Sequence, residues 1–180
     1  MKPKLLLHTC CAPCSIAIID ELKDQYELTV FFYNPNIQPK AEYLKRKKYV
    51  VDICDEWKVK MIDKDYETEK WNDLTKGLKK EPEIVGKRCP ICFTMRIEKT
   101  AKFAHDNEYE YFATSLTSGR NKKASIINTI GKQMANKYFI KFFDEDWKKA
   151  GRQDLSKKMV EERGIYRQTY CGCIYSKKNC

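Results

Sequence analysis

Long apolar runs are missing from this 180-residue chain. The stretch Met1 to Cys14 offers only Leu5-Leu6-Leu7, where a signal peptide needs about 7–15 apolar residues and a membrane helix about 20. A lipid-anchor reading of Cys10 fails too, because His8 and Thr9 stand where small residues are required. Histidine is scarce, with His8 in a strand pattern and His105 in a helical one, so no histidine-centred acid–base triad is expected. Neither a G-x-G-x-x-G fingerprint nor a Walker loop is present, and a Ser-Gly-Gly-x-Asp-Ser pyrophosphatase loop is absent as well. These absences predict a cytoplasmic protein outside the common nucleotide-binding classes.

Cysteine, by contrast, is plentiful. Nine in 180 residues stays below the ~8–10% of a disulfide scaffold, the odd count argues against full pairing, and reduced cytoplasmic thiols in clusters point to metal or redox chemistry. They fall into Cys10-Cys11-Ala12-Pro13-Cys14, Cys89-Pro90-Ile91-Cys92 and Cys171-Gly172-Cys173, with Cys54 and Cys180 apart. A C-x-x-C at a helix start lets two sulfurs converge on one ion, and the helix N-terminus favours their thiolate form. Lys87 and Arg88 reinforce that beside Cys89. Zinc and iron–sulfur centres both take four cysteines; the paired spacing of a zinc ribbon is absent, which favours a cluster, and Cys14 is a further possible ligand. Cys171-Gly172-Cys173 reads either as a strained redox-active pair or as ligands of a second metal. Cys54 reads as a core thiol and Cys180 as an inert terminal one.

Apolar periodicity predicts an α/β fold with a doubly wound parallel sheet. Strands are expected at Lys4–Thr9, Leu28–Tyr33, Val59–Ile62, Tyr109–Ser115 and Tyr138–Phe143. Helices are expected at Ser15–Lys23, Glu42–Trp57, Glu67–Leu78, Ile91–Asn107, Lys122–Asn136 and Leu155–Arg163, the second burying Leu44, Val51, Cys54 and Trp57. Residues 1–180 read as one catalytic domain whose extension, 143–180, is part helical, part irregular and carries the Cys-Gly-Cys motif. In such sheets ligands bind outside the carboxyl ends of the strands, where Cys10, Cys11 and the Thr114–Gly119 loop fall.

Charge is one-sided. Lys and Arg number 35 against 25 Asp and Glu, a formal net charge of +10. No acid occurs from Tyr111 to Phe143, which carries Arg120, Lys122 and Lys123, and Lys40 to Lys48 holds five bases against Glu42 alone. That is the footprint of a phosphate-backbone partner.

Four motifs resemble one family. His8-Thr9-Cys10-Cys11-Ala12-Pro13-Cys14, Tyr33-Asn34-Pro35-Asn36-Ile37, Arg88-Cys89-Pro90-Ile91-Cys92-Phe93 with Arg96, and Tyr166-Arg167-Gln168-Thr169-Tyr170-Cys171-Gly172-Cys173 look like those of the QueH-type epoxyqueuosine reductases, in order and with family-like spacing. One departure is Ser118-Gly119, where members often carry Ser-Pro. The resemblance implies a domain similar to adenine-nucleotide alpha-hydrolase-like (HUP) folds and the last step of queuosine synthesis, removal of the epoxide oxygen of epoxyqueuosine at the tRNA wobble position. It also implies a [4Fe–4S] cluster on Cys10, Cys11, Cys89 and Cys92, a redox-active Cys171/Cys173 pair, an additional mononuclear iron, an external electron donor and the anticodon loop of tRNA as partner. Candidate substrate contacts are Tyr33, Asn34, Asn36, Arg96, Arg120, Lys122, Lys123 and Arg167, with Tyr33 and Tyr170 as candidate proton donors. Deoxygenation consumes two electrons and two protons, so a second redox centre beside a one-electron cluster is chemically reasonable. The competing readings are a tRNA sulfur-transfer enzyme and a non-catalytic zinc-stabilised RNA-binding module.

Overall fold

A computed structural model describes residues 2–83 and 86–176; the expectation for Cys180 lies outside the described residues. Five strands, β1 (Lys4–His8), β2 (Glu27–Phe32), β3 (Lys60–Asp63), β4 (Tyr111–Thr114) and β5 (Lys141–Phe142), form one sheet. Its order is β3-β2-β1-β4-β5, and every pairing is parallel. The chain steps outward from β1 to β2 and β3, then returns to add β4 on the other side of β1. The switch point between β1 and β4 is where a doubly wound sheet opens a crevice.

Side chains alternate across the sheet. Leu5 and Leu7 of β1 join the core formed with helices α1 (Ala12–Lys23), α2 (Lys40–Glu56) and α6 (Arg152–Glu162). Leu6 joins the opposite core with α4 (Arg88–Asp106) and α5 (Ala124–Tyr138). All three leucines are fully buried, which is why β1 reads as a continuous apolar run rather than an alternating one. A short helix, α3 (Thr68–Leu74), buries Trp71 beside α4.

Several boundaries differ from the periodicity reading. Helix α1 starts at Ala12 with Pro13 in its first turn, and α4 starts at Arg88, so Cys14 and Cys89 sit in first turns and Cys92 opens the second turn of α4. Proline lacks only an N–H that has no intrahelical partner there. Helix α3 stops at Leu74, and α5 runs on to Tyr138, leaving β5 two residues. The buried face of α2 is only partly the expected one, Cys54 being buried and Trp57 packed against the core. Tyr43, Arg46, Val50, Ile53 and Cys54 point inward, whereas Leu44 is 50% exposed, because α2 packs against a polar C-terminal turn as well as the apolar core.

After β5 the chain crosses back over the carboxyl edge of the sheet. Phe143 stacks on Trp147, whose indole N–H donates to the Thr114 carbonyl at 3.0 Å. Helix α6 is tied to α1 by the Arg152 guanidinium on both oxygens of Glu21, at 2.8 Å each, and by Ser156 Oγ donating to the Pro13 carbonyl at 2.6 Å. That return delivers Arg167 to Cys173 to the switch point. No described helix is long and apolar enough to cross a membrane.

Candidate cysteine centre

Strand β1 ends at His8, and the next residues enter the crevice. Cys10, Cys11 and Cys14 place their sulfurs within 4.8 Å of one another, Cys10 and Cys11 being 3.7 Å apart. Cys10 is the natural anion of this trio: thiol hydrogen bonds from Cys11 and then Cys14 hold it well below the usual thiol range, with Arg96 assisting. Burial raises Cys11, and the hydrogen bond to Cys10 pushes Cys14 up to about 12. Gln168 Nε2 lies 2.8 Å from Cys11 Sγ and 3.7 Å from Cys14 Sγ, an N–H aimed at sulfur from the far end of the chain.

A second group lies beside the first. Cys89, Cys92, Cys171 and Cys173 line one narrow recess with Trp71, Phe93, Arg96 and Lys122. Here Cys171 is the anion, its thiol held low by a hydrogen bond from Cys173 and then by Lys122 and Arg96. Cys173, 4% exposed, is raised by the same bond and by burial. Burial also raises Cys92.

Arg96 joins the two groups. It is buried one turn after Cys92 on α4, donates from Nε to the Cys92 carbonyl at 3.2 Å, and is influenced electrostatically by Cys92, Cys10, Cys171 and Cys89. Burial disfavours its charge, but these sulfurs outweigh that cost and hold it protonated. Lys122 follows the same logic. Its Nζ sits 3.5 Å from Cys171 Sγ and 5.1 Å from the centre of the Phe93 ring, and Cys171 offsets its desolvation. This lysine therefore belongs to the sulfur site rather than to the outer basic surface.

The donor set suits a soft, anionic centre. Converging thiolates accept iron or zinc, and the Gln168 and Lys122 N–H groups at the sulfurs, with the Arg96 charge nearby, favour negative charge on a cluster. Cys10, Cys11 and Cys14 lie close enough to share one group, and Cys89 and Cys92 open from the adjoining recess.

The remaining candidates divide. Arg120 and Arg167 are exposed on the rim of a cleft of about 1260 Å³ that opens over Cys10, Cys14, Cys89 and Cys171. Lys123 is exposed just before α5 and does not line that cleft. Tyr33 is buried, its hydroxyl donating to Glu67 at 2.6 Å, with Glu67 also paired to Lys99 at 3.0 Å. Burial and Glu67 push its hydroxyl pKa up, so Tyr33 is badly placed to give up a proton. Tyr170 OH donates to the Gln38 carbonyl at 2.8 Å and is committed as well. Asn34 donates to the Thr9 carbonyl at 2.8 Å, shaping the loop after β1. Asn36 is fully buried, and neither end of its amide finds a partner among the described residues. The Ser115–Ser118 turn after β4 braces α1: Ser118 Oγ donates to the Cys14 carbonyl at 2.7 Å. Gly119 leaves space for the Lys122 side chain, whose Cγ would lie 2.7 Å from a Cβ there.

Sequence reading missed Arg46 and Trp71 altogether and gave Gln168 no role. Gln168 carried a signal, three residues before Cys171. Arg46 carried none, standing among lysines of a basic run.

Fold and site together define a cysteine-centred α/β protein built on a doubly wound parallel sheet. Within that class the chain belongs to the epoxyqueuosine reductase QueH family, whose model matches residues 5–179. The epoxyqueuosine reductase QueH of Histophilus somni is 40% identical over 178 residues, spanning 98% of this chain and 73% of that protein. That of Staphylococcus epidermidis is 39% identical over 97% of this chain and 76% of its own, and that of Thermotoga maritima 37% identical over 96% and 89%. Among solved structures, the U34-tRNA thiolase NcsA from Methanococcus maripaludis with its [4Fe-4S] cluster matches 98% of this chain and 62% of its own, with a TM-score of 0.61 and 15% identity. At that identity the likeness concerns the fold.

Proposed function

We propose that this protein is an iron–sulfur epoxyqueuosine reductase, removing the epoxide oxygen of epoxyqueuosine at the wobble position of tRNA to leave queuosine. The observation that carries the reading is the meeting of two thiolate-forming cysteine groups around the buried Arg96 at the floor of a cation-rimmed cleft. Family membership across residues 5–179 supplies the reaction. A [4Fe–4S] cluster on Cys10, Cys11, Cys89 and Cys92, with Cys14 as the competing ligand, would supply single electrons at the cleft floor, and a mononuclear iron beside it is the further metal of this reading.

The protein's own residues do the rest. Cys171 and Cys173 form the redox pair: with Cys171 already a thiolate, joining their sulfurs releases two electrons and one proton, and the Lys122 ammonium supplies the second proton that deoxygenation consumes. Lys122, an ammonium 3.5 Å from Cys171 Sγ, favours the thiolate and can hold a proton near the reacting oxygen. Arg120 and Arg167 meet the phosphates of the anticodon loop. An external donor then reopens the pair, and the whole chain, 1–180, acts as one cytoplasmic catalytic domain whose extension 143–180 carries the Cys-Gly-Cys motif.

Replacing both Cys171 and Cys173 by Ser should abolish turnover while the broad absorbance near 400 nm of the anaerobically purified protein persists. Turnover is read by nucleoside mass analysis after incubation with a strong reductant and epoxyqueuosine-containing tRNA. Normal conversion in the double variant would sink the dithiol role. A colourless protein holding one zinc would sink the reductase reading itself.

A further inference from the structure

We propose that Arg46 is a positioning residue for the Cys171-Gly172-Cys173 turn and sets how readily its two sulfurs join. The inference rests on the redox reading of that pair given above. Arg46 lies on α2, 125 residues from Cys171, with its side chain 1% exposed. Its guanidinium is used on three sides. Nη1 donates to the Cys171 carbonyl at 3.1 Å, Nη2 to the Tyr170 carbonyl at 3.0 Å, and Nε to Glu42 Oε1 at 2.7 Å. Glu42 is steadied by the Tyr166 hydroxyl, 3.2 Å from both carboxylate oxygens.

The loop before α2 completes the clasp. Gln38 N–H donates to the Gly172 carbonyl at 2.8 Å, and Gln38 in turn accepts the Tyr170 hydroxyl. Three consecutive carbonyls, of Tyr170, Cys171 and Gly172, are thus each held by a donor from Gln38 or Arg46. Gly172 adopts φ +118°, and a Cβ there would stand 2.9 Å from Ile37 Cγ1 and 3.1 Å from Arg46 Nη1. The guanidinium is pressed against the turn so closely that only glycine fits both the angle and the space.

Two cysteines one residue apart close only if the backbone keeps both side chains on the same side. Holding that backbone raises the effective concentration of one sulfur at the other, as any preorganised tether does. A planar guanidinium can grip two carbonyls at once, which a lysine ammonium on a flexible stem cannot match. Closure against glutathione disulfide forms the Cys171–Cys173 bond and breaks the glutathione S–S bond. The two electrons and two protons pass to two glutathione thiols.

The test uses anaerobically purified, cluster-loaded full chain equilibrated in glutathione buffers of graded ratio, then alkylated and digested with trypsin. Cleavage after Arg167 and Lys177 gives a peptide whose only cysteines are Cys171 and Cys173, so its mass reports the pair alone. Arg46→Met should lower the closure constant about tenfold, equivalent to ~30 mV, and Arg46→Lys should lower it by an intermediate factor. Unfolding midpoints are measured on the same samples. An Arg46→Met protein that is less stable but closes as the wild type does would overturn the proposal. Where that variant does not fold, Glu42→Gln, which loosens Arg46 without removing it, should shift the constant in the same direction, and no shift overturns the proposal equally. A wild-type pair that never closes would overturn the redox reading and this proposal together, so the two failures are distinguishable.

Discussion

His8 illustrates how much structure one buried side chain can hold in place. It is fully buried at the end of β1, with Nε2 3.1 Å from the Tyr33 carbonyl and Nδ1 3.0 Å from Thr114 Oγ1. A carbonyl only accepts, so the ring's single proton sits on Nε2 and Nδ1 accepts from the threonine. Burial first, and then Arg96, lowers its pKa from 6.5 to about 4. The sign follows: above pH 6.5 the ring is neutral in both states, and below it the unfolded chain takes up the proton first. Stability should therefore fall by about 1.4 kcal/mol per pH unit between 6.5 and about 4. Urea unfolding midpoints at pH 7 and pH 5 check this, and His8→Gln should flatten the difference; an equal slope in that variant would show that other groups dominate. The cysteines were legible residue by residue because close spacing marks chemistry. Arg46 was not, since a buried arginine and a surface lysine share one signature in a basic run.

Among the elements, α4 matched its reading, with Phe93, Ile97, Ala101 and Ala104 inward, while α2 did so at Cys54 and Trp57 but not at Leu44. The difference is physical: from Ile97 onward the inward face of α4 meets a mostly apolar core, whereas α2 spends part of its inward face on the carbonyls of the C-terminal turn. Helices α1 and α4 start three residues earlier than the apolar pattern places them, because their first turns hold Cys, Pro and Arg in place of a repeating apolar stripe. Helix α5 offers a test of packing. Gly131 is buried against Phe142 of β5, and any Cβ would collide with that ring. Gly131→Ala gains helix propensity yet should destabilise the protein by about 1–3 kcal/mol through overpacking, seen as a lower thermal midpoint. An unchanged or higher midpoint would mean that Phe142 moves freely aside.

On the scale of the molecule, the +10 charge is not spread evenly in its consequences. Many lysines are neutralised locally, as in Lys48 with Asp52, Lys102 with Asp106 and Lys137 with Glu98. Arg120 and Arg167 stay exposed on the cleft rim. If they meet phosphates of an unpaired loop, binding of an anticodon stem-loop should weaken as salt rises. The Arg120→Ala/Arg167→Ala variant should reduce the log–log slope by about 1.4, roughly 0.7 per contact. Equal slopes for variant and wild type would remove both residues from the interface.

By itself the sequence determined the α/β class, the cysteine groups and the family, because hydrophobic period and close spacing are local quantities written along the chain. Only the tertiary structure decided that Gln168 faces Cys11, that Lys122 turns inward to Cys171 and that Arg46 clasps the Cys-Gly-Cys turn. Those contacts join residues 157, 49 and 125 positions apart, and distances of that kind exist only once the parallel sheet brings its carboxyl edge and the returning C-terminal segment together.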